Sequence, residues 1–335
     1  MARIALDAMG GDNAPEAPIA AALLAIQEFG PAHQIQLVGR ASVIRAELTS
    51  QLAAAPAGSR LVEAATRLEI IDAPDVIEMT DKPSVAIRGK SKSSMSVGIR
   101  LQTEGKSDAF ISAGNTGAQM AASTFILRLH DGLSRPAIGT LFPTARQPVV
   151  VLDAGANVDC SAAELAQFAH LGHVYARDIL GRDNPAVGLL SIGEEPEKGN
   201  AAVKEAHQLL VASGLNFIGN VEGRDIPAGA CDRSPIDVVV CDGFTGNVLL
   251  KFYEAVAPML FGMLANAGVS EQQLGTVVHS LDYEQYGGAP LLGLKGVSII
   301  CHGKSSPKAI KNGIFAGIRA VESHMSQHIR EQLAR

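Results

Sequence analysis

Short, largely apolar runs alternate along this chain with longer amphipathic segments. Three such runs are VVVL at 149–152, IDVVVC at 236–241 and VSIIC at 297–301. A strand that is apolar on both faces is covered on both sides, as in parallel sheets flanked by helices. Strands that alternate with helical segments indicate βα units. The pattern therefore predicts an α/β fold with a largely parallel sheet.

The length and composition limit the size and partners of this fold. The 335 residues are 47% hydrophobic and 19% charged, which is sufficient for a large core and unfavourable for extensive disorder. We expect one α/β catalytic unit over residues 1–335, with a division into two lobes as the alternative. The net charge of −6, the absence of tryptophan and the lack of a basic run argue against nucleic acid as a partner.

The cysteines and the apolar segments predict a cytoplasmic protein. The four cysteines are scattered without metal-binding or redox spacing, so no disulfide framework is expected. The opening MARIALDAMGGDNAPE turns polar after Leu6, and no secretory leader is expected there. Apolar runs stay short of the roughly 20 residues that span a bilayer. Any membrane association is therefore expected to be peripheral.

Four segments repeat one local design, in which an apolar strand leads through a Gly, Asn, Ser or Thr turn into a helix. Backbone N–H groups and the helix dipole attract anions to such a turn. A single turn of this kind can equally be an ordinary helix cap. Two helices are expected to begin at Gly117 and Asn247. The four segments are Ala109–Ala118, Val150–Asn157, Val238–Asn247 and Ile299–Ser306.

The anion at these turns is not expected to be part of a nucleotide. Neither GxxxxGK[ST] nor GxGxxG occurs in the chain, and these are the common nucleotide-binding loops. A GxSxG nucleophile elbow is absent as well. The sequence thus predicts a phosphate that is bound free or during transfer, with no cofactor.

Several longer strings resemble one known family, the bacterial fatty acyl-ACP:phosphate acyltransferases of phospholipid synthesis (the PlsX family). The matches extend from residue 4 to about residue 315 and follow the family's order. Several long strings in order are more specific than a single glycine motif. They are DAMGGDNAP (Asp7–Pro15), SAGNTGA (Ser112–Ala118), LDAGAN (Leu152–Asn157), GNVEGRDI (Gly219–Ile226), VVVCDGFTGNVLLK (Val238–Lys251), YGGAPLLG (Tyr286–Gly293) and HGKS (His302–Ser305).

This resemblance implies a fold, a reaction and partners. The fold would be a three-layer α/β/α sandwich similar to that of isocitrate and isopropylmalate dehydrogenases and phosphate acetyltransferase. The reaction would convert acyl-[acyl carrier protein] and inorganic phosphate into acyl phosphate and free carrier protein. The resemblance further implies a homodimer, loose association with the inner face of the membrane, and a membrane glycerol-3-phosphate acyltransferase that consumes the product.

Attack of phosphate on a thioester needs positioned donors rather than a protein nucleophile. Backbone amides, Asn, Lys and His suit these tasks. We expect three catalytic residues, Lys198, His302 and Asn247. Lys198 is also explained as a solvated ion-pair residue, and His302 as a helix cap. The residues expected to bind phosphate or substrate are Gly10, Gly11, Asn115, Thr116, Gly117, Asp153, Asn157, Asp242, Thr245, Gly246, Lys304 and Ser305.

The aspartates in these turns raise the question of a metal. A carboxylate beside a phosphate repels it unless it binds a cation or orients donors. Magnesium is conceivable, but no paired spacing demands it, so no metal is expected. The aspartates are instead expected to stabilise their turns by accepting backbone N–H bonds.

Two further segments suggest contacts with partners. An acidic carrier protein would dock on a basic patch, and the candidates are Arg88, Lys90, Lys92 and Arg100. The alternative is an ordinary solvated surface. Ala255–Ser270 carries no charge, which favours either a dimer or core helix, or an acyl-chain channel or membrane contact.

Three other functions are compatible with these sequence features. The first is an acetyltransferase-like enzyme that uses acyl-CoA. The second is a decarboxylating dehydrogenase, although the metal-binding carboxylates and the tyrosine–lysine pair that it needs are not evident. The third is a non-catalytic protein that binds acyl groups or the carrier protein at the membrane.

Overall fold

The computed structural model describes residues 1–56, 61–270 and 287–334. The chain divides into two compact units. The first unit comprises Met1–His130 and Glu284–Gln327, and the second comprises Asp131–Tyr283 and His328–Arg335.

The strands fall close to the apolar runs of the sequence. Residues VVVL, VVV and SII are strands that are buried throughout, as the sequence predicts. In chain order the strands are β1 (Arg3–Asp7), β2 (Gln34–Gly39), β3 (Leu68–Asp72), β4 (Ala109–Ser112), β5 (Ala137–Ile138), β6 (Thr140–Phe142), β7 (Val149–Leu152), β8 (Val187–Leu190), β9 (Phe217–Val221), β10 (Ala230–Cys231), β11 (Ser234–Pro235), β12 (Val238–Val240), β13 (Ala289–Leu292) and β14 (Ser298–Ile300).

Six of the described helices start at polar residues that cap their first turn. Ser93, Asn115, Ser161, Asn200, Asp242 and Ser306 each accept a hydrogen bond from a backbone N–H of the helix that follows. The helices are α1 (Glu16–Phe29), α2 (Ala41–Ala53), α3 (Leu61–Ala65), α4 (Pro83–Gly89), α5 (Ser94–Thr103), α6 (Thr116–Leu127), α7 (Ala162–Leu180), α8 (Ala201–Val211), α9 (Asp225–Ala228), α10 (Gly243–Asn266), α11 (Pro307–Glu322) and α12 (Met325–Leu333).

In the first unit six strands lie in the order β3-β2-β1-β4-β14-β13. All pairs are parallel except β13 with β14. Helices cover both faces, because adjacent residues of β4 contact different helices. Phe110 packs on Gly98 of α5, while Ile111 packs on Gly317 of α11. A strand points successive side chains to opposite faces, so α5 and α11 lie on opposite sides of the sheet.

In the second unit five strands lie in the order β6-β7-β12-β8-β9. The four strands from β7 to β9 are parallel, and β6 is antiparallel to β7. Val238 packs on Gly172 of α7, whereas the next residue, Val239, belongs to a buried cluster on which Leu249 and Tyr253 of α10 pack. Helices therefore cover both faces here too. The predicted three-layer α/β/α class is confirmed.

Helix α10 differs from the sequence prediction in its start and its burial. It begins at Gly243 rather than Asn247, because Asp242 caps it. By length and composition it could cross a membrane, and its most apolar 18-residue window, with mean hydropathy 1.5, is 0% buried. Lys251 and Glu254 interrupt the apolar run and pair with each other at 2.7 Å. Pro258–Asn266 is almost entirely exposed, so the interpretation of this segment as a core helix is wrong.

Candidate functional site

In the first unit two of the four predicted turns, those after β4 and β14, lie side by side with the turn after β1 that contains Gly10 and Gly11. β1, β4 and β14 are adjacent and parallel, so the turns that follow them share one carboxyl edge of the sheet. The N–H of Asp12 donates to the carbonyl of Gly303 at 2.8 Å, which joins the first turn to the last. The hydroxyl of Ser112 donates to Asp7 at 2.8 Å, which joins the first turn to the middle one.

Asp7 holds this edge together from a buried position. Burial raises the pKa of Asp7, although hydrogen bonds from Ser94, Ser112 and two backbone N–H groups act in the opposite direction. A side chain at Gly10 would lie 2.6 Å from the Asp7 carboxylate and 2.9 Å from the backbone nitrogen of Gly114. Glycine at position 10 is therefore required by close packing within the turn.

Asn115 caps α6, and the predicted residues Thr116 and Gly117 lie in the first turn of that helix. Its side-chain oxygen accepts from the N–H of Ala118 at 3.0 Å. Its side-chain nitrogen donates to the carbonyls of Met79 at 3.0 Å and Asp81 at 3.1 Å. The side chain of Asn115 thus bonds a neighbouring loop to the start of the helix. An anion bound here would therefore contact backbone groups of the turn.

The turn after β14 exposes two of the three predicted side chains. His302 and Lys304 are exposed, and Ser305 is buried. The Nδ1 atom of His302 accepts from the N–H of Lys304 at 3.2 Å. This bond assigns the proton of a neutral ring to Nε2, which is the arrangement a proton donor needs.

In the second unit the turns after β7, β12 and β8 are also neighbours at a carboxyl edge. Asp153 organises the first of them and is fully buried. Its carboxylate accepts from the N–H groups of Ile138 (3.0 Å), Ala156 (3.0 Å) and Asn157 (2.7 Å), and from the side chain of Asn157 (2.9 Å). The second side-chain hydrogen of Asn157 goes to the carbonyl of Pro136. Both predicted residues therefore stabilise the turn through side chains that are already engaged.

The turn after β12 places Asn247 on the surface. Asp242 accepts from both the N–H and the hydroxyl of Thr245, at 2.8 Å each. A side chain at Gly246 would collide with the carbonyl oxygen of Asp153, so the helix and the Asp153 turn are in direct contact. Asn247 is exposed, and its side chain lies over Gly155 of the same turn. Of the predicted residues here, Asn247 is the one whose amide faces outward.

Lys198 lies on the loop between β8 and α8 and is exposed. The loop is held by Asn220, which sequence reasoning missed. Its side-chain nitrogen donates to the carbonyl of Glu195 at 2.8 Å, and its oxygen contacts His207 at 3.0 Å. The family resemblance could have indicated Asn220, because this residue belongs to the matched string GNVEGRDI.

The four basic residues expected to dock a carrier protein differ in their environment. Lys90 donates to the carbonyl of Val76 at 2.8 Å and pairs with Asp81 at 2.5 Å. Arg100 donates to the carbonyl of Ser91 at 3.1 Å. Arg88 and Lys92 are exposed. Lys90 and Arg100 thus support local structure, and a partner would meet Arg88 and Lys92 more directly.

Within residues 1–56, 61–270 and 287–334 there is no group of three or more His, Cys, Asp or Glu side chains arranged to hold a metal. Asp153, the most buried aspartate of the second unit's turns, has its oxygens occupied by N–H donors.

Comparison with known proteins assigns the chain to a family. A family model described as fatty acid synthesis protein matches residues 2–328. The chain belongs to this family. A phosphate acyltransferase of Desulforamulus reducens is 45% identical, over 99% of this chain and 98% of that protein. A phosphate acyltransferase of Heliobacterium modesticaldum is 45% identical, over 99% and 97%. The predicted resemblance is confirmed.

Solved structures support the fold alone. A phosphotransacetylase from Streptococcus pyogenes has a TM-score of 0.64 and 19% identity, covering 96% of this chain and 94% of its own. A 4-hydroxythreonine-4-phosphate dehydrogenase from Klebsiella pneumoniae has a TM-score of 0.56 and 15% identity, covering 96% and 98%. One fold thus serves acyl transfer and dehydrogenation, so function must be argued from family and site.

Proposed function

We propose that this chain is a phosphate acyltransferase that converts acyl-[acyl carrier protein] and inorganic phosphate into acyl phosphate and free carrier protein for phospholipid synthesis. The observation that carries the proposal is the full-length match to proteins named phosphate acyltransferase, at 45% identity over 99% of the chain. The glycine turns at the two sheet edges, which lack any nucleotide-binding fingerprint, agree with it.

In this reaction a phosphate oxygen forms a bond to the thioester carbonyl carbon, and the carbon–sulfur bond then breaks. Negative charge develops on the carbonyl oxygen and afterwards on the sulfur, which leaves as thiolate and takes up a proton. Donors that are fixed before the reaction stabilise such charge without reorganising. In our proposal Asn247 and Lys198 stabilise charge in the second unit, and the Nε2–H of His302 is a proton donor.

Purified protein is expected to form acyl phosphate and free carrier thiol in equal amounts from acyl-carrier protein, and only when phosphate is present. Mass spectrometry of the acyl phosphate and a thiol assay measure the two products. A strong preference for acyl-CoA would indicate the acetyltransferase-like alternative, and reduction of a nicotinamide cofactor would indicate a dehydrogenase. Stoichiometric binding of acyl-carrier protein without turnover would contradict any catalytic role.

Two partners complete the proposal. The acidic carrier protein docks on the surface around Arg88 and Lys92, where basic side chains are exposed. Acyl phosphate is a reactive, membrane-seeking product, and a membrane glycerol-3-phosphate acyltransferase is its consumer. The protein therefore works in the cytoplasm in loose association with the inner face of the membrane.

We also propose a homodimer through the distal half of α10, Pro258–Asn266. Met259 and Met263 are more than half exposed, and Leu260 and Leu264 follow each of them. Residues spaced by four lie on one face of a helix. An uncharged helix face of this kind is typical of an interface with a second copy.

Replacing Met259 and Met263 with Glu is expected to convert a two-chain species into a one-chain species, because carboxylates would face an apolar partner surface. Sedimentation velocity measures the mass, with Val211→Glu, an exposed position on α8, as the control. Wild-type protein that sediments as a single chain would contradict the dimer. Co-sedimentation of that single chain with anionic lipid vesicles would assign the surface to a membrane instead.

A further inference from the structure

A cavity in the second unit lies between the first turns of α7, α8 and α10. Its volume is about 470 Å³, within the range of small-molecule sites. Five of its lining residues are apolar, and two of them, Val158 and Phe244, are 66% and 63% exposed. The other three are Leu165, Ala202 and Val203.

The charges around this cavity are unfavourable for an anion. Its charged lining residues are two carboxylates, Asp159 and Asp242, and no Lys, Arg or His is among the described residues that line it. The three helix starts are already capped by Ser161, Asn200 and Asp242. Phosphate would be repelled, so the occupant must be the neutral part of a substrate.

Four polar residues of the lining, Asn200, Asp242, Thr245 and Cys160, form hydrogen bonds within their own turns. Asp242 binds both the N–H and hydroxyl of Thr245, and the side-chain oxygen of Asn200 accepts from the N–H of Val203 at 2.9 Å. The thiol of Cys160 donates to the carbonyl of Asn157, and burial raises the pKa of Cys160 to about 11, so it is uncharged at neutral pH. These groups leave few free partners for amides, and the carboxylate of Asp159 is exposed, so it can stay hydrated when an apolar chain binds.

The cavity adjoins the turn that leads to Asn247, one of the two residues that we propose to stabilise charge during the reaction. Asp242, Phe244 and Thr245 line it, and Asn247 follows two residues later. From Phe244 the exposed apolar residues Val248 and Phe252 continue along one face of α10. At 1.5 Å per residue this stripe extends about 12 Å from the cavity.

We propose that this cavity holds the fatty acyl chain of the substrate, and that the end of a long chain lies along Phe244, Val248 and Phe252. The inference rests on the proposed acyl transfer and adds a binding site and a determinant of chain length to it. The thioester carbonyl stays at the turn after β12, while the methylenes leave water for the apolar wall.

Ala202→Phe tests the cavity because Ala202 is a half-buried lining residue at the start of α8. Filling the space is expected to lower kcat/KM for hexadecanoyl-carrier protein by about tenfold or more, since buried methylenes lose their apolar contacts. The value for butanoyl-carrier protein is expected to change by less than about twofold, because a short chain makes few of these contacts. Ala201→Phe, at an exposed neighbour outside the lining, is the matched control.

Phe244→Ala provides a second test that leaves the core untouched, with Phe125→Ala, an exposed phenylalanine of α6, as its control. It is expected to reduce activity on the long chain several-fold more than on the short one.

A wild-type enzyme that forms no acyl phosphate from either substrate would contradict the proposed function itself. Normal wild-type turnover with equal losses at both lengths, or with no loss, in both natively folded variants would overturn only the acyl-chain site. Equal losses would assign the cavity to the carrier's prosthetic arm. If circular dichroism shows Ala202→Phe to be unfolded, Phe244→Ala decides alone.

Discussion

Asn247→Ala is expected to lower kcat/KM for acyl-carrier protein by about 100-fold or more, the usual effect of losing one donor that stabilises a developing oxyanion. Asn247 is exposed and caps no helix, so its replacement should leave the fold intact. Steady-state thiol release measures the rate, and thermal unfolding checks the fold. Asn184→Ala, an exposed asparagine in the loop before β8, is the control.

Lys198→Ala should reduce turnover to a similar extent if its ammonium stabilises transferring charge, while Lys198→Arg should retain part of the rate. Lys204→Ala on α8 is the matched control, because this lysine is also exposed. Full turnover in both Asn247→Ala and Lys198→Ala would show that these residues are not catalytic. That result would not contradict the acyl-transfer reaction itself, but other residues would have to supply the donors.

Asp153→Ala is expected to lower the free energy of unfolding by about 2–4 kcal/mol, because buried N–H donors lose their acceptor. The carboxylate binds three backbone N–H groups and the side chain of Asn157, and no solvent reaches it. Urea unfolding followed by circular dichroism measures the change. Asp159→Ala, an exposed aspartate in the same loop, should change stability by less than about 0.5 kcal/mol.

The same carboxyl group should make stability depend on pH. Burial raises the pKa of Asp153 above its unfolded value, which is near 4. The pH-dependent part of its contribution to stability is therefore complete below the unfolded pKa and is lost as the pH rises through the folded pKa, while the hydrogen bonds that the carboxylate accepts remain. Asp153→Asn should remove this part of the slope. An unchanged slope in the variant would contradict the assignment.

The layers of the fold could be predicted from the sequence because they depend on local pattern. Runs such as VVVL and SII are buried strands in the structure, and polar residues before the helices cap them. The grouping of the turns was not predictable. β14 lies beside β4, although almost 190 residues separate them in the sequence, and no periodicity encodes that pairing.

The candidate site was predictable by residue type but not by contact. Asn115 and Asn157 read as free donors in the sequence, yet their side chains are engaged by loop carbonyls and by Asp153. The sequence predicts Lys90 to be a surface charge. In the structure it pairs with Asp81, which lies nine residues earlier on a separate loop. Such pairings depend on tertiary approach, which residue spacing does not report. The exposure of α10 could not be predicted either, because an apolar composition is equally typical of a core helix and of an interface helix.

The discontinuous first unit has a consequence for synthesis on the ribosome. β14 lies between β4 and β13, and the last turn is bonded to the first through Asp12 and Gly303. When residue 130 has left the ribosome, the sheet still lacks β14, which is the neighbour of β4, and the helix α11 that covers Ile111. This apolar surface stays uncovered until nearly the whole chain has been translated. The nascent N-terminal segment thus exposes apolar surface during most of synthesis, and we expect chaperones to bind it.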